Sequence, residues 1–354
     1  MIILKKVSTL KIAATYIGTV VGAGFATGQE ILQFFAQFGV NGLWGIALTT
    51  FLFVIFGFII MRLGYKLGAQ SHLEIIRHSG GKVIGSIMDL IITFFLFGSL
   101  TAMIAGTGAL FAQQFGLPAI FGNLLMVTIT ALTVLTGING VINSISAIVP
   151  FLLVSVVGIS IFSIFRTPPD VATAAVAANS GGLVRNWGMA AVLYVSYNTV
   201  ISVAVLGPLG ARAKDEKAIF NGALLGGLGL GLGTIMIFFA LRGNMAGIQG
   251  LEVPMSYIAG NISRAVQILY AVILIAEVYT TAVGALYGFS ARLGKKSHSR
   301  TRAIVITTAI AALFASFFGF SNLVRILYPL VGYGGVLLLI CLLYAKIKSL
   351  TSRR

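Results

Sequence analysis

The chain has 354 residues, of which 58% are hydrophobic and only 9% charged, whereas a soluble domain is about 25% charged. That excludes a soluble globular protein and indicates a polytopic membrane protein, with no hydrophilic stretch long enough for a separate soluble domain. The formal charge of +16 suits nucleic acid or anionic lipid in principle, but the order of the charges along the chain accounts for it without a nucleic-acid partner. A single cysteine, Cys341, excludes an internal disulfide and a cysteine metal cluster.

The opening stretch, MIILKKVSTLKIAATYIG, puts basic residues before an apolar run, as a signal peptide does. The apolar pattern continues past any plausible cleavage point, so it is read as a retained first span. About 20 apolar residues are needed to cross a bilayer. On that rule the chain divides into ten spans: 9–39, 42–64, 83–115, 119–137, 142–165, 186–209, 217–242, 262–291, 302–319 and 323–347. Spans 1, 3 and 8 are long, which implies tilt or interruption. Between spans 2 and 3, HLEIIRHSGG reads as a short interfacial helix.

Lys and Arg orient these spans. Threading the chain through ten spans places 19 of the 24 basic residues on one side and 5 (Arg166, Arg185, Arg242, Arg264 and Arg325) on the other. The expectation is a multi-pass membrane protein with both termini in the cytoplasm. The whole chain, 1–354, is then one transmembrane domain, all-α, made of two five-helix repeats, 9–165 and 186–347. An odd number of spans per repeat inverts the second copy, a common plan among transporters.

Corresponding spans of the two halves are where interruptions should fall. Span 1 carries VVGAGFATGQE, residues 20–30. Gly22 to Gly24 lie about 16–20 Å beyond Lys11 at helical rise, near the middle of a ~30 Å hydrocarbon core. Span 6 carries Ser196-Tyr197-Asn198-Thr199 about ten residues past Trp187, at about the same depth from the opposite face. Close packing through small residues explains the glycines taken alone. The matched polar run in span 6 favours discontinuous helices in spans 1 and 6, with an unwound turn lining a cavity.

With those residues in view, VVGAGFATGQEILQFF resembles the first helix of the amino acid–polyamine–organocation superfamily. More narrowly it resembles the YkvI-type bacterial membrane proteins. The resemblance implies the LeuT-type fold, with helices 1 and 6 discontinuous and helices 3 and 8 flanking the site. It implies that amides of Gly22, Ala23 and Gly24 meet a substrate carboxylate, and that Gly18 and Val21 offer carbonyls to a sodium ion. Thr280 and Thr281, in AEVYTTAVG, match the hydroxyls that complete that sodium site. Glu277 departs from the pattern, which usually has a small residue there, so proton coupling stands beside sodium coupling.

Other polar residues extend the candidate site. Ser99 and Thr101 fall near the middle of span 3 and are candidates for lining it, with Tyr197 and Asn198 from span 6. In a bundle, Ser and Thr also commonly bond backbone carbonyls. Glu30 lies about 28 Å beyond Lys11 if helical, which predicts an outer-vestibule gate with Gln29 beside it, or else a capping role or a helix–helix hydrogen bond. Glu277 is 13 residues from Arg264 and 15 from Arg292, as deep as a residue can be, and an intramembrane carboxylate is a functional candidate by default. Asp89 reads as a snorkelled interfacial carboxylate. His72, His78 and His298 fall in predicted loops without acidic or cysteine partners, so no metal site is expected beyond a sodium ion. No phosphate loop or nucleophile elbow appears.

The sequence thus predicts a non-enzymatic secondary transporter of a small amino acid or related carboxylate. It would need no cofactor and would use a sodium or proton gradient, its partners being a small-molecule substrate and the lipid bilayer. One rival is a receptor subunit that shares the transporter fold and senses a ligand without moving it; a second is a channel, although two helix breaks at one depth suit an occluded site better than a continuous pore. Oligomeric state is not legible.

Overall fold

The computed structural model describes residues 7–69, 72–136, 149–170, 183–293 and 298–351, and these are almost entirely helical. In chain order the helices are α1 (Thr9–Val20), α2 (Ala23–Ala26), α3 (Gln29–Phe34), α4 (Asn41–Leu67), α5 (His72–Phe115), α6 (Ala119–Leu135), α7 (Val149–Arg166), α8 (Trp187–Ala211), α9 (Glu216–Gly243), α10 (Met245–Ile248), α11 (Pro254–Gly260), α12 (Arg264–Leu293), α13 (His298–Ser316) and α14 (Phe320–Thr351). Helices α4, α5, α8, α9, α12 and α14 are long and apolar enough to cross a membrane, and α6, α7 and α13 are shorter apolar helices. Each predicted span meets one of these or the broken run α1–α3. The first residues of span 5, 142–148, and residue 137 at the end of span 4 lie outside the described residues.

Span 1 is interrupted where its glycines predict. The helical ladder of α1 closes with Val21 N–H donating to Ile17 O at 2.8 Å and resumes with Ala26 N–H donating to Gly22 O at 3.0 Å. Val21 (φ −72°, ψ 105°) and Gly22 (φ −121°, ψ −171°) are extended. The carbonyls of Gly18 to Val21 and the amides of Gly22 to Phe25 therefore fall outside the ladder. A second interruption follows at Gly28, whose φ of 80° is left-handed, a conformation in which other side chains are strained. Three residue-specific bonds anchor the displaced pieces. Tyr270 Oη donates to Ala26 O at 2.5 Å, Met255 N–H donates to Thr27 O at 3.0 Å, and Gln29 Nε2 donates to Ser321 Oγ at 3.0 Å.

Span 6 is not interrupted, contrary to expectation: α8 runs as one helix from Trp187 to Ala211. Its polar residues are satisfied without unwinding. Asn198 Nδ2 donates back one turn to Tyr194 O at 2.9 Å, and Ser196 Oγ donates to Gly332 O of α14 at 2.6 Å. Polarity alone did not break this helix, and Gly207 is the first glycine after Gly188.

The HLEIIRHSGG segment is helical as expected, but it forms the first arm of α5, joined to the long arm through a kink at Gly81 (φ 74°). Helix α8 packs on α4 and α14, and α5 packs on α12, α14 and α6. The α4–α8 crossing is close: a Cβ on Gly64 would lie 2.0 Å from Gly207 O, and one on Gly210 would lie 2.0 Å from Met61 O. Small residues serve this purpose in membranes, where lipid is as apolar as leucine and association depends on close packing.

Candidate functional site

The break in α1, the middle of α5, α8 and α12 share one cavity of about 470 Å³. Residues on its wall include Gly18, Val21, Gly22, Ala23, Gly24, Glu30, Ser99, Tyr197, Asn198, Glu277, Thr280 and Thr281. The candidate residues that the sequence scatters over more than 250 positions therefore converge, with two exceptions. Thr101 is buried and donates to Phe97 O at 2.9 Å. It sits two residues, about 200° of helix, from Ser99, so its neighbour faces the cavity and it does not. Gln29 is buried too, with its amide nitrogen on Ser321 and its Oε1 unpartnered, and it is not part of the wall.

Glu30 is not where a continuous helix would carry it. The two interruptions fold α3 back so that Glu30 lies against the first break. A Cβ on Gly24 would be 2.0 Å from Glu30 Oε1, so this carboxylate fills the space that the missing side chain leaves. Tyr197 Oη donates to Glu30 Oε2 at 2.5 Å and Tyr194 Oη donates to the same oxygen at 3.3 Å. Gly22, by contrast, has nothing within 4 Å of a built Cβ; its face of the break is open.

An aromatic layer surrounds Glu30. The Tyr197 ring is tilted against Tyr328 at 5.0 Å and Phe34 at 5.7 Å, and Tyr194 lies edge-on at 5.0 Å from Phe35 and 5.3 Å from Phe34. Phe34 and Phe35 are fully buried. In the other direction the wall continues along α12 through Thr281, Ala285 and Gly288 to Arg292, where His72 joins it. From Glu277 to Arg292 is about 22 Å along the helix. Arg292 forms an ion pair with Asp89, whose side chain is half-exposed. His72 begins α5 rather than lying in a loop, and its buried Nε2 has no partner.

Glu277 is 3% exposed, and its Oε2 has no hydrogen-bond partner. Thr280 Oγ1 donates to the Glu277 carbonyl at 2.9 Å. The cavity thus gathers unladdered carbonyls at Gly18 and Val21, two threonine hydroxyl groups and a carboxylate from α12. Oxygen donors of this kind suit a hard cation.

Sequence reasoning missed Tyr194, Tyr328, Phe95, His72 and Arg292. Tyr194 precedes Tyr197 by three residues, a same-face helical spacing that flags it in hindsight.

No protein-family model matches the chain. It is 30% identical over 329 residues to the membrane protein YkvI of Bacillus subtilis strain 168, covering 93% of both chains. It is 28% identical over 333 residues to YyaD of the same organism, covering 94% of this chain and 95% of that one. Among solved structures it is similar to the inward-facing conformation of Mhp1, with a TM-score of 0.63 and 14% identity over 94% of this chain and 74% of that one. It is also similar to MhsT in complex with L-phenylalanine (TM-score 0.61, 16% identity, 93% and 88% covered). A Na+-coupled sialic acid symporter in a substrate-bound outward-open state gives a TM-score of 0.61 at 12% identity, with 89% and 75% covered. At such identities the structural likeness speaks for the fold alone. The chain is a multi-pass membrane protein with the LeuT-type fold, and it belongs to the family that includes YkvI.

Proposed function

We propose that this protein is a secondary active transporter of a small amino acid or a related compound, working by alternating access and driven by a sodium or proton gradient. The observation that carries the reading is the shared cavity. A broken first helix, two flanking helices and a deep carboxylate meet at one place, and irregular backbone at membrane depth is tolerated where it lines a cavity. The similarity in fold to MhsT, seen with L-phenylalanine, and to a Na+-coupled sialic acid symporter supports it. The two inverted repeats, 9–165 and 186–347, belong to this proposal. So does the placement of both termini on the cytoplasmic side of a bacterial plasma membrane.

On that topology the cavity extends from the break toward the basic, cytoplasmic side, and the layer of Phe34, Phe35 and Tyr194 closes the outer side. Substrate contacts come from Gly22, Ala23, Ser99, Tyr197 and Asn198. Ion coupling comes from Gly18 and Val21 carbonyls with Glu277, Thr280 and Thr281. The break itself gives little support for holding a substrate carboxylate. Helix α2 has four residues, so few peptide dipoles add at its N-terminus, and Glu30 already lies against Gly24.

A screen of amino acids, amines and organic acids for thermal stabilisation of the purified protein, with and without sodium, tests this. Ligands that stabilise the protein, with sodium or a lower pH strengthening them, support it. An absence of stabilisation across the panel argues against a small-molecule site.

A further inference from the structure

We infer that the site takes an organic ammonium group, with Glu30 as its counter-ion, rather than an anionic group at the helix break. This rests on the transporter reading of the cavity and names its substrate class. Both tyrosine hydroxyls donate to Glu30 Oε2, which leaves Oε1, the oxygen beside Gly24, as the one a ligand meets on the cavity wall. An incoming carboxylate would meet a like charge there. The basic groups on the wall, His72 and Arg292, lie at the far end, and Arg292 is already paired with Asp89.

A second observation points the same way. Glu277 is 3% exposed, faces the same cavity, and carries an oxygen with no partner. Buried charges are paired or bind ions, and no cation among the described residues pairs with Glu30 or Glu277. The same wall includes Phe95, Tyr197 and Tyr328, and aromatic faces attract ammonium groups. The volume, about 470 Å³, is within the ordinary range for a small organic ligand.

The test needs no knowledge of the substrate. Gly22→Cys, in a Cys341→Ala background, places a thiol where the wall is open. Its rate of reaction is measured with the cationic reagent 2-(trimethylammonio)ethyl methanethiosulfonate and with the anionic 2-sulfonatoethyl methanethiosulfonate. Each rate is divided by the rate with free 2-mercaptoethanol. Ser99→Cys, an isosteric change on the same wall, serves as a second probe should Gly22→Cys not fold. The expected result is a preference for the cation of about tenfold or more, the scale of one charge at close range in a partly screened site. Adding Glu30→Gln should remove most of it. Equal rates, or a preference for the anion, would overturn the ammonium assignment and leave the transporter reading standing. A preference that survives Glu30→Gln and disappears in Glu277→Gln would overturn the role of Glu30. A thiol unreactive to both reagents from both faces of the membrane would overturn the assignment and the transporter reading together.

Discussion

The hydroxyl of Tyr197 on α8 donates to Glu30 Oε2 on α3 at 2.5 Å. The bond ties the segment that follows the broken first helix to the helix facing it. Tyr197→Phe removes the donor and keeps the ring, whose contacts with Phe34, Phe95 and Tyr328 hold its position. A buried hydrogen bond to a charged group contributes about 1.5–3 kcal/mol. The variant should fold with a lower melting temperature and bind ligand more weakly. A melting temperature equal to wild type would show that Tyr194 alone suffices to hold Glu30.

The two glycines of the break should respond differently to the same methyl group. A Cβ at Gly24 collides with the Glu30 carboxyl, whereas one at Gly22 meets nothing within 4 Å. Gly24→Ala should therefore displace Glu30 and abolish ligand binding in a protein that still inserts. Gly22→Ala should fold like wild type and lose at most a few-fold in affinity. Equal effects would mean that Glu30 does not depend on the gap at Gly24.

Why some of this was legible and some was not follows from particular residues. The break in span 1 could be read because glycines both weaken a helix and let another group approach closely. Span 6 misled because Ser196 and Asn198 are polar, yet each has a carbonyl to bond without unwinding. Glu30 was misplaced because its depth was counted at one rise per residue through a helix that is twice interrupted. Thr101 could have been set aside, since helical periodicity separates it from Ser99 by about 200°. Arg292 and His72 could not be found from charge accounting, which assigns a basic residue to a side of the membrane and not to a cavity wall.

Glu277→Gln keeps the shape of the side chain and removes its charge. If Glu277 couples transport to an ion, the variant should lose most gradient-driven uptake in proteoliposomes while ligand affinity changes only a few-fold. A charge near the bilayer centre costs at least ~2.5–3.5 kcal/mol, so the variant should also be no less stable than wild type. Wild-type uptake in this variant would show that the carboxylate is structural.

The topology has its own check. A cysteine at Asp170 should be labelled by an impermeant maleimide from outside intact cells, and one at Asp215 should not. Asp215 caps α9 by accepting from Ala218 N–H at 2.7 Å, so its replacement costs about 1 kcal/mol and leaves insertion intact. The reverse labelling pattern would overturn the placement of both termini in the cytoplasm, and labelling of both positions from the same side would overturn the inverted-repeat arrangement.

On this reading the shared cavity moves its ligand across the membrane. That is tested most directly by measuring whether a labelled ligand from the stabilisation screen accumulates in proteoliposomes against its own gradient. The expected result is accumulation above the external concentration under an inward sodium or proton gradient, collapse of that accumulation when an ionophore is added, and its loss in Glu277→Gln. A ligand that binds and stabilises the protein, yet equilibrates no faster than in protein-free liposomes under either gradient, would contradict the account and make the molecule a receptor.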